Sequence, residues 1–128
     1  AINLTPDDWA TLKALAVFCF TFNYEVEETG LLSARKALSL NPGSPVLTDL
    51  LGTGLMLAGD YDSAERFLLE AEKLDPNQSA ILIHLGQLKV LQRVYESARE
   101  YLRAAMEFAP NNRLRELASQ LLREISGK

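Results

Sequence analysis

The chain is short of the residues on which most site chemistry depends. One cysteine and one histidine in 128 residues exclude a disulfide framework, a zinc cluster and a His/Cys-rich metal site. Seven glycines and five prolines are too few for a loop-rich all-β domain. No stretch reaches the roughly 18 to 20 apolar residues of a membrane-spanning helix, so membrane insertion is not expected. The greasiest run, Ala14 to Phe22, is preceded by Asp7 and Asp8 where a secretory leader carries lysine or arginine. Basic excess is missing too: the net charge of −4 speaks against nucleic acid held through its phosphates. There is no glycine-rich phosphate loop and no metal-ligand spacing. No cofactor is expected.

What is present is enough apolar residue to build a core. Hydrophobic residues make up 48% and charged residues 23% of the chain, which removes it from the disordered class. Three prolines that close helical patterns, Pro42, Pro76 and Pro110, stand 34 residues apart. Laying 45–78 over 79–112 gives ten identities, among them Leu51/Leu85, Gly52/Gly86, Ala64/Ala98, Leu68/Leu102, Ala71/Ala105 and Pro76/Pro110. These are small or apolar residues at helical spacing, the kind that a contact between two helices imposes.

Each unit reads as two helices. In the second, Ser44 caps a helix with Pro45 in its first position, and apolar residues run to Leu57. Ala58-Gly59-Asp60 breaks it, Asp60 caps the next helix over 61–74, and Pro76 ends the unit. A lone pair of this kind cannot bury both faces, so the units must stack.

This pattern resembles the tetratricopeptide repeat, a 34-residue helical pair with Leu-Gly, Ala, Leu or Phe, Ala and Pro at fixed offsets. The second unit supplies Leu51-Gly52, Ala64, Leu68, Ala71 and Pro76; the third supplies Leu85-Gly86, Ala98, Leu102, Ala105 and Pro110. The family's first aromatic is replaced by Thr48 and Leu82, and its later tyrosine by Leu55 and Lys89. The resemblance implies an all-α fold: a right-handed α-solenoid of about three stacked helix-turn-helix units plus a C-terminal capping helix, seven helices in all. A single domain is expected over 1–128, divided into a degenerate first repeat (6–44), a second (45–78), a third (79–112) and the cap (113–126). In the first unit Phe18 stands where the family has glycine and Gly30 where it has alanine, a pair of departures expected to compensate across the helix pair. Thr5-Pro6-Asp7-Asp8 reads as a strong helix start, so the first helix is expected to begin near Pro6 and to be longer than its counterparts.

Tetratricopeptide arrays bind other proteins along a concave groove lined by the first helix of each pair. That family geometry implies groove positions at Leu12, Leu15, Cys19, Phe22 and Asn23; at Val46, Asp49, Leu50, Thr53 and Met56; and at Ala80, Ile83, His84, Gln87 and Leu91. The resemblance also points to five positions where other members grip a C-terminal carboxylate: Leu15, Cys19, Leu50, Ala80 and His84. None is lysine, arginine or asparagine, so the groove reads as apolar, with few polar anchors. Catalysis is not expected, because the one histidine has no nucleophile placed beside it by the pattern.

From Ala10 to Tyr24 only Thr11, Lys13, Thr21 and Asn23 are polar, and a helix apolar nearly all round is buried nearly all round. At the end of a stack it exposes Phe20, Phe22 or their neighbours. That implies a second copy docked there as a homodimer, or preceding repeats in a longer chain. Charge is uneven: 45–78 carries seven acidic and two basic residues, 79–128 five acidic and eight basic. The reading is a non-catalytic protein–protein interaction scaffold for an apolar peptide or amphipathic helix, chaperone-like in character. A structural oligomerisation segment is the second reading. The unpaired Cys19 suits a reducing, cytoplasmic compartment.

Overall fold

The computed structural model describes residues 8–128, and every described element is helical: α1 (Trp9–Thr21), a π-helical turn (Val26–Leu31) running into α2 (Leu32–Leu40), α3 (Pro45–Leu57), α4 (Tyr61–Leu74), α5 (Ser79–Leu91), α6 (Tyr95–Glu107) and α7 (Asn112–Glu124). No strand occurs among the described residues. The chain forms two compact units, Ala1–Leu74 with α1 to α4 and Asp75–Lys128 with α5 to α7.

In the first unit the helix starts follow from side chains that satisfy the orphan amides of a first turn. The Asp8 carboxylate accepts from the amides of Ala10 and Thr11. The Ser44 hydroxyl oxygen accepts from Leu47 N at 3.1 Å, with Pro45 in the first helical position. The Asp60 carboxylate accepts from Ser63 N at 3.3 Å. Because Asp8 is the cap, α1 begins at Trp9, and its 13 residues equal the length of α3. The extended first helix is therefore not found; Thr5, Pro6 and Asp7 lie outside the described residues.

Close helix approach is made by small residues meeting large ones. A Cβ on Gly52 would stand 2.8 Å from Leu68 Cγ, and one on Gly86 the same distance from Leu102 Cγ. The two contacts are the same contact repeated, one in each unit. In the first hairpin the large partner is Phe20. Its ring lies against both Gly30 of the π turn and Gly54 of α3: a Cβ on Gly30 would be 2.7 Å from Phe20 Cε1, and one on Gly54 would overlap the ring outright. Phe20 is thus not exposed; the end-of-stack exposure expected of Phe20, Phe22 or their neighbours falls on Phe22 and Phe18. Nor is Phe18 the ring that uses the space at Gly30; it is half exposed.

The second unit is closed by α7. Asn111 caps it by accepting from Leu114 N at 2.9 Å. Ala118 is buried with Leu82, Ile83 and Ala105, and Ile125 with Ala98 and Leu102. Its polar face carries Arg115, Glu116, Gln120 and Arg123 outward, as a terminal helix requires.

Filling a glycine notch that already holds a ring overpacks the core, which costs roughly 1–3 kcal/mol. Gly54→Val is therefore expected to lower the urea midpoint clearly, and Phe20→Leu in the same chain to restore part of the loss. Gly43→Ala, where an added Cβ meets nothing, is the control that should leave the midpoint nearly unchanged.

Candidate functional site

The three hairpin turns share one construction, and they set the register of everything before them. Each first helix ends in a residue of positive φ: Asn23 (50°), Gly59 (86°) and Arg93 (63°). Each turn is closed by the amide after that residue, which donates to a carbonyl five positions back: Tyr24 N to Cys19 O at 2.8 Å, Asp60 N to Leu55 O and Val94 N to Lys89 O both at 2.9 Å. These are the six-to-one bonds of a left-handed helix cap. Asn23, Gly59 and Arg93 stand 36 and 34 residues apart, so α1 lies two residues out of the 34-residue register. The second helices keep it: Gly30, Ala34 and Ala37 are buried like Ala64, Leu68 and Ala71. The two additional residues are taken up in the π turn, where Glu25 adopts φ 45° and its carbonyl accepts from both Thr29 N and Gly30 N at 2.9 Å.

The shift changes which residues of α1 take the positions expected to line a groove. The position equivalent to Gly52 and Gly86 is the fully buried Ala16, not Phe18. Leu15, Cys19, Phe22 and Asn23 fall beside Leu51, Leu55, Ala58 and Gly59, which are core and turn positions. Cys19 is accordingly buried in the core, where desolvation first, and then the nearby charge of Glu25, push its thiol pKa up. Leu12 is buried as well, and Phe22 and Asn23 are exposed at the turn. The residues of α1 equivalent to Val46, Asp49, Leu50 and Thr53 are Ala10, Lys13, Ala14 and Val17.

In the first unit, then, α1 offers Lys13 and Val17, and α3 offers Val46, Asp49, Leu50 and Thr53, all exposed or half-buried. Thr53 Oγ1 donates to the Asp49 carbonyl at 2.9 Å. Met56 drops out of this set because it is buried, like its equivalent Phe20. In the second unit His84 and Gln87 are half-buried on α5 and Leu91 is exposed, whereas Ile83 is core, packed with Leu82, Ala105 and Ala118. Core placement of Cys19, Met56 and Ile83 has one cause: on a helix packed on two sides, groove and core positions are a single residue apart. At the five carboxylate-gripping positions the turn register replaces Leu15 and Cys19 by Lys13 and Val17. One cation, Lys13, therefore enters that set of positions, and it lies within the first unit.

The turn itself carries polar and aromatic groups. Glu25 accepts from the Thr29 hydroxyl and from Tyr24, and these bonds hold its carboxyl below the ordinary glutamate value while raising the Tyr24 phenol. Phe18, Phe22 and Tyr24 cluster around it, with ring centroids 5.0 Å apart for the first pair and 6.3 Å for Phe18 and Tyr24. They are 50%, 66% and 54% exposed. Among the described residues no group of His, Cys, Asp or Glu is placed to hold a metal, and no helix is long and apolar enough to cross a membrane.

Comparison with known proteins decides the lineage. The profile of the tetratricopeptide repeat family matches residues 55–121. The chain belongs to that family. Among curated proteins, mouse aspartyl/asparaginyl beta-hydroxylase is 30% identical over 77 residues, a match that spans 60% of this chain and a tenth of the hydroxylase. Solved structures agree in fold: the first tetratricopeptide domain of Spaghetti (RPAP3), bound to the HSP90 peptide SRMEEVD, superposes with a TM-score of 0.77 at 21% identity, covering 98% of this chain and 96% of that one. The Yersinia enterocolitica type III secretion translocator chaperone SycD gives 0.78 at 18%, covering 91% and 89%. The Arabidopsis OM64 domain gives 0.76 at 15%, covering 93% and 97%.

The signal that would have located the α1 face was in the sequence. Asn23 is a residue that tolerates positive φ, and it stands one turn construction before the π segment, as Gly59 does before α4. Ala16 is the small residue two places before Phe18.

Ionised Glu25 holds the turn through the Thr29 and Tyr24 hydroxyls, and its pKa is depressed in the folded chain. That contribution is present above the ordinary carboxylate range and is lost as pH falls through the lowered value. A carboxyl-detected NMR titration is expected to place Glu25 below the ordinary glutamate value, and Thr29→Val to move it back up. An unshifted Glu25 in the native chain would contradict the turn geometry.

Proposed function

We propose that this domain is a protein–protein interaction scaffold that takes an apolar peptide segment on its first-helix faces. The supporting observation is the composition of the α1/α3 face in the turn register: Val17 and Val46 are exposed and Leu50 is half-buried, with Lys13, Asp49 and Thr53 as the polar residues among them. Apolar pockets with a small number of polar groups suit side-chain readout of a bound segment. Spaghetti is described in complex with an acidic-ended HSP90 peptide, but here Lys13 is the single cation at the corresponding positions, and Leu50, Ala80 and His84 do not complete a grip on carboxylate. SycD is described as a translocator chaperone, and a chaperone-like role is the version of the scaffold reading that this likeness supports. The match to the hydroxylase covers a tenth of that protein, and no catalytic role is assigned to these residues.

Fluorescence anisotropy against two labelled peptides separates these modes. An amphipathic apolar peptide is expected to bind, and Val46→Glu, which charges an exposed position and leaves the core alone, to weaken it by about tenfold or more. The peptide SRMEEVD is expected to bind weakly. Tight, salt-sensitive binding of SRMEEVD together with indifference to Val46→Glu would overturn the apolar reading.

A second reading is favoured by the ring cluster at the α1 turn. Three exposed aromatics in one patch mark an interaction surface more often than a solvated one, and self-association through them would make the domain an oligomerisation segment. Light scattering over a tenfold concentration range would show a dimer that Phe22→Glu dissociates; a monomer throughout would leave only the scaffold reading.

A further inference from the structure

Away from the first-helix face, the first unit has an apolar cleft of about 480 Å³ between α2 and α4, floored by α3. Thr48 and Leu51 form the floor, Leu38 stands on the α2 wall, and Phe67 and Leu74 on the α4 wall. The floor residues are buried, and Leu74 is substantially exposed at the mouth. The cleft exists because Thr48 is small. In the next hairpin the same position is Leu82, which is buried in an apolar cluster with Ala105. Thr48 has less bulk and turns its hydroxyl to the Ser44 carbonyl at 2.8 Å.

The rim is charged with opposite signs. Arg35 lines the α2 side and Glu70 the α4 side, and both are exposed. Ser39 at the rim is satisfied by the Lys36 carbonyl at 2.7 Å, and Arg66 lies over the Phe67 ring at 5.3 Å, which holds that wall in place. A purely apolar small molecule would use the walls and ignore the rim. A carboxylate-bearing one would meet Arg35 but be repelled by Glu70.

We propose that the α2/α4 cleft is a second peptide site, which takes one bulky aromatic side chain of a partner segment carrying acidic residues on one side of it and basic residues on the other. The aromatic fills the volume left above Thr48, the acidic flank meets Arg35, and the basic flank meets Glu70. This site is separate from the α1/α3 face, and neither depends on the other.

The probe is the capped peptide acetyl-Glu-Glu-Trp-Leu-Lys-Lys-amide, followed by amide chemical shifts of the intact chain. Shifts are expected at Leu38, Leu51, Phe67 and Leu74, with affinity reduced about tenfold when serine replaces the peptide's tryptophan. Arg35→Glu is expected to weaken binding at low salt and to flatten its salt dependence. Thr48→Trp fills the cleft from within and should abolish these shifts while leaving apolar peptide binding at Val46 untouched. Should Thr48→Trp not fold, Leu74→Glu at the mouth provides the same test. Shifts confined to Lys13, Val17 and Val46, or binding indifferent to Leu74→Glu, would overturn the proposal. So would N-acetyltryptophanamide binding as tightly as the peptide, which would make the cleft a small-molecule site.

Discussion

The first unit is organised around one aromatic ring held between two glycines. Phe20 occupies the space that side chains at Gly30 and Gly54 would take, and so sets how closely α1 approaches both its own hairpin partner and the next first helix. Packing at crystal-like density leaves no room for the ring elsewhere and none for a methyl group in its place. The later contacts, Gly52 with Leu68 and Gly86 with Leu102, solve the same problem with an aliphatic knob. Anchoring Phe20 in the core fixes the rotation of α1, and that rotation decides which residues it offers to solvent.

Much of the functional reading depends on that rotation. With Phe20 inward, Ala16 and Cys19 turn inward on the same side, and Lys13 and Val17 stand beside the exposed positions of α3. Phe18 and Phe22 are left on the outer side near the turn. A chain whose first helix followed the 34-residue register would have set a leucine and a cysteine, Leu15 and Cys19, where Lys13 and Val17 stand. This one presents a lysine and a valine.

The helices of the second and third repeats were legible because small residues, caps and prolines recur there with a constant period: Pro45–Leu57 and Tyr61–Leu74 are where the Ser44, Asp60 and Pro76 signals put them. The first hairpin was not, because its two extra residues enter a π turn that keeps its helical look in sequence. Val26 to Leu31 holds no proline, and its one glycine serves a helix contact rather than a break. Period counting from Pro42 backwards therefore gave α2 correctly and α1 two residues late. On α3 and α5, Asp49, Leu50, Thr53, His84 and Gln87 are half-buried, the exposure that the groove expectation requires of them. Met56 and Ile83 were misread because burial on a helix packed from two sides changes within one residue step. The α2/α4 cleft left one trace, Thr48 in a position where the family carries an aromatic.

Cys19 allows the register to be tested with no substitution at all, since it is the chain's single thiol. The turn register buries it beside the Gly30 contact, with its pKa raised; the 34-residue register would have set it on an open face. The rate of Cys19 modification by an aromatic disulfide reagent, measured in buffer and again in denaturant, is the direct measurement. Reaction limited by unfolding, slow in buffer and fast in denaturant, is the result this packing requires. Rapid, stoichiometric labelling of the native chain would contradict it, and with it the rotation of α1 that leaves Lys13 and Val17 open to solvent.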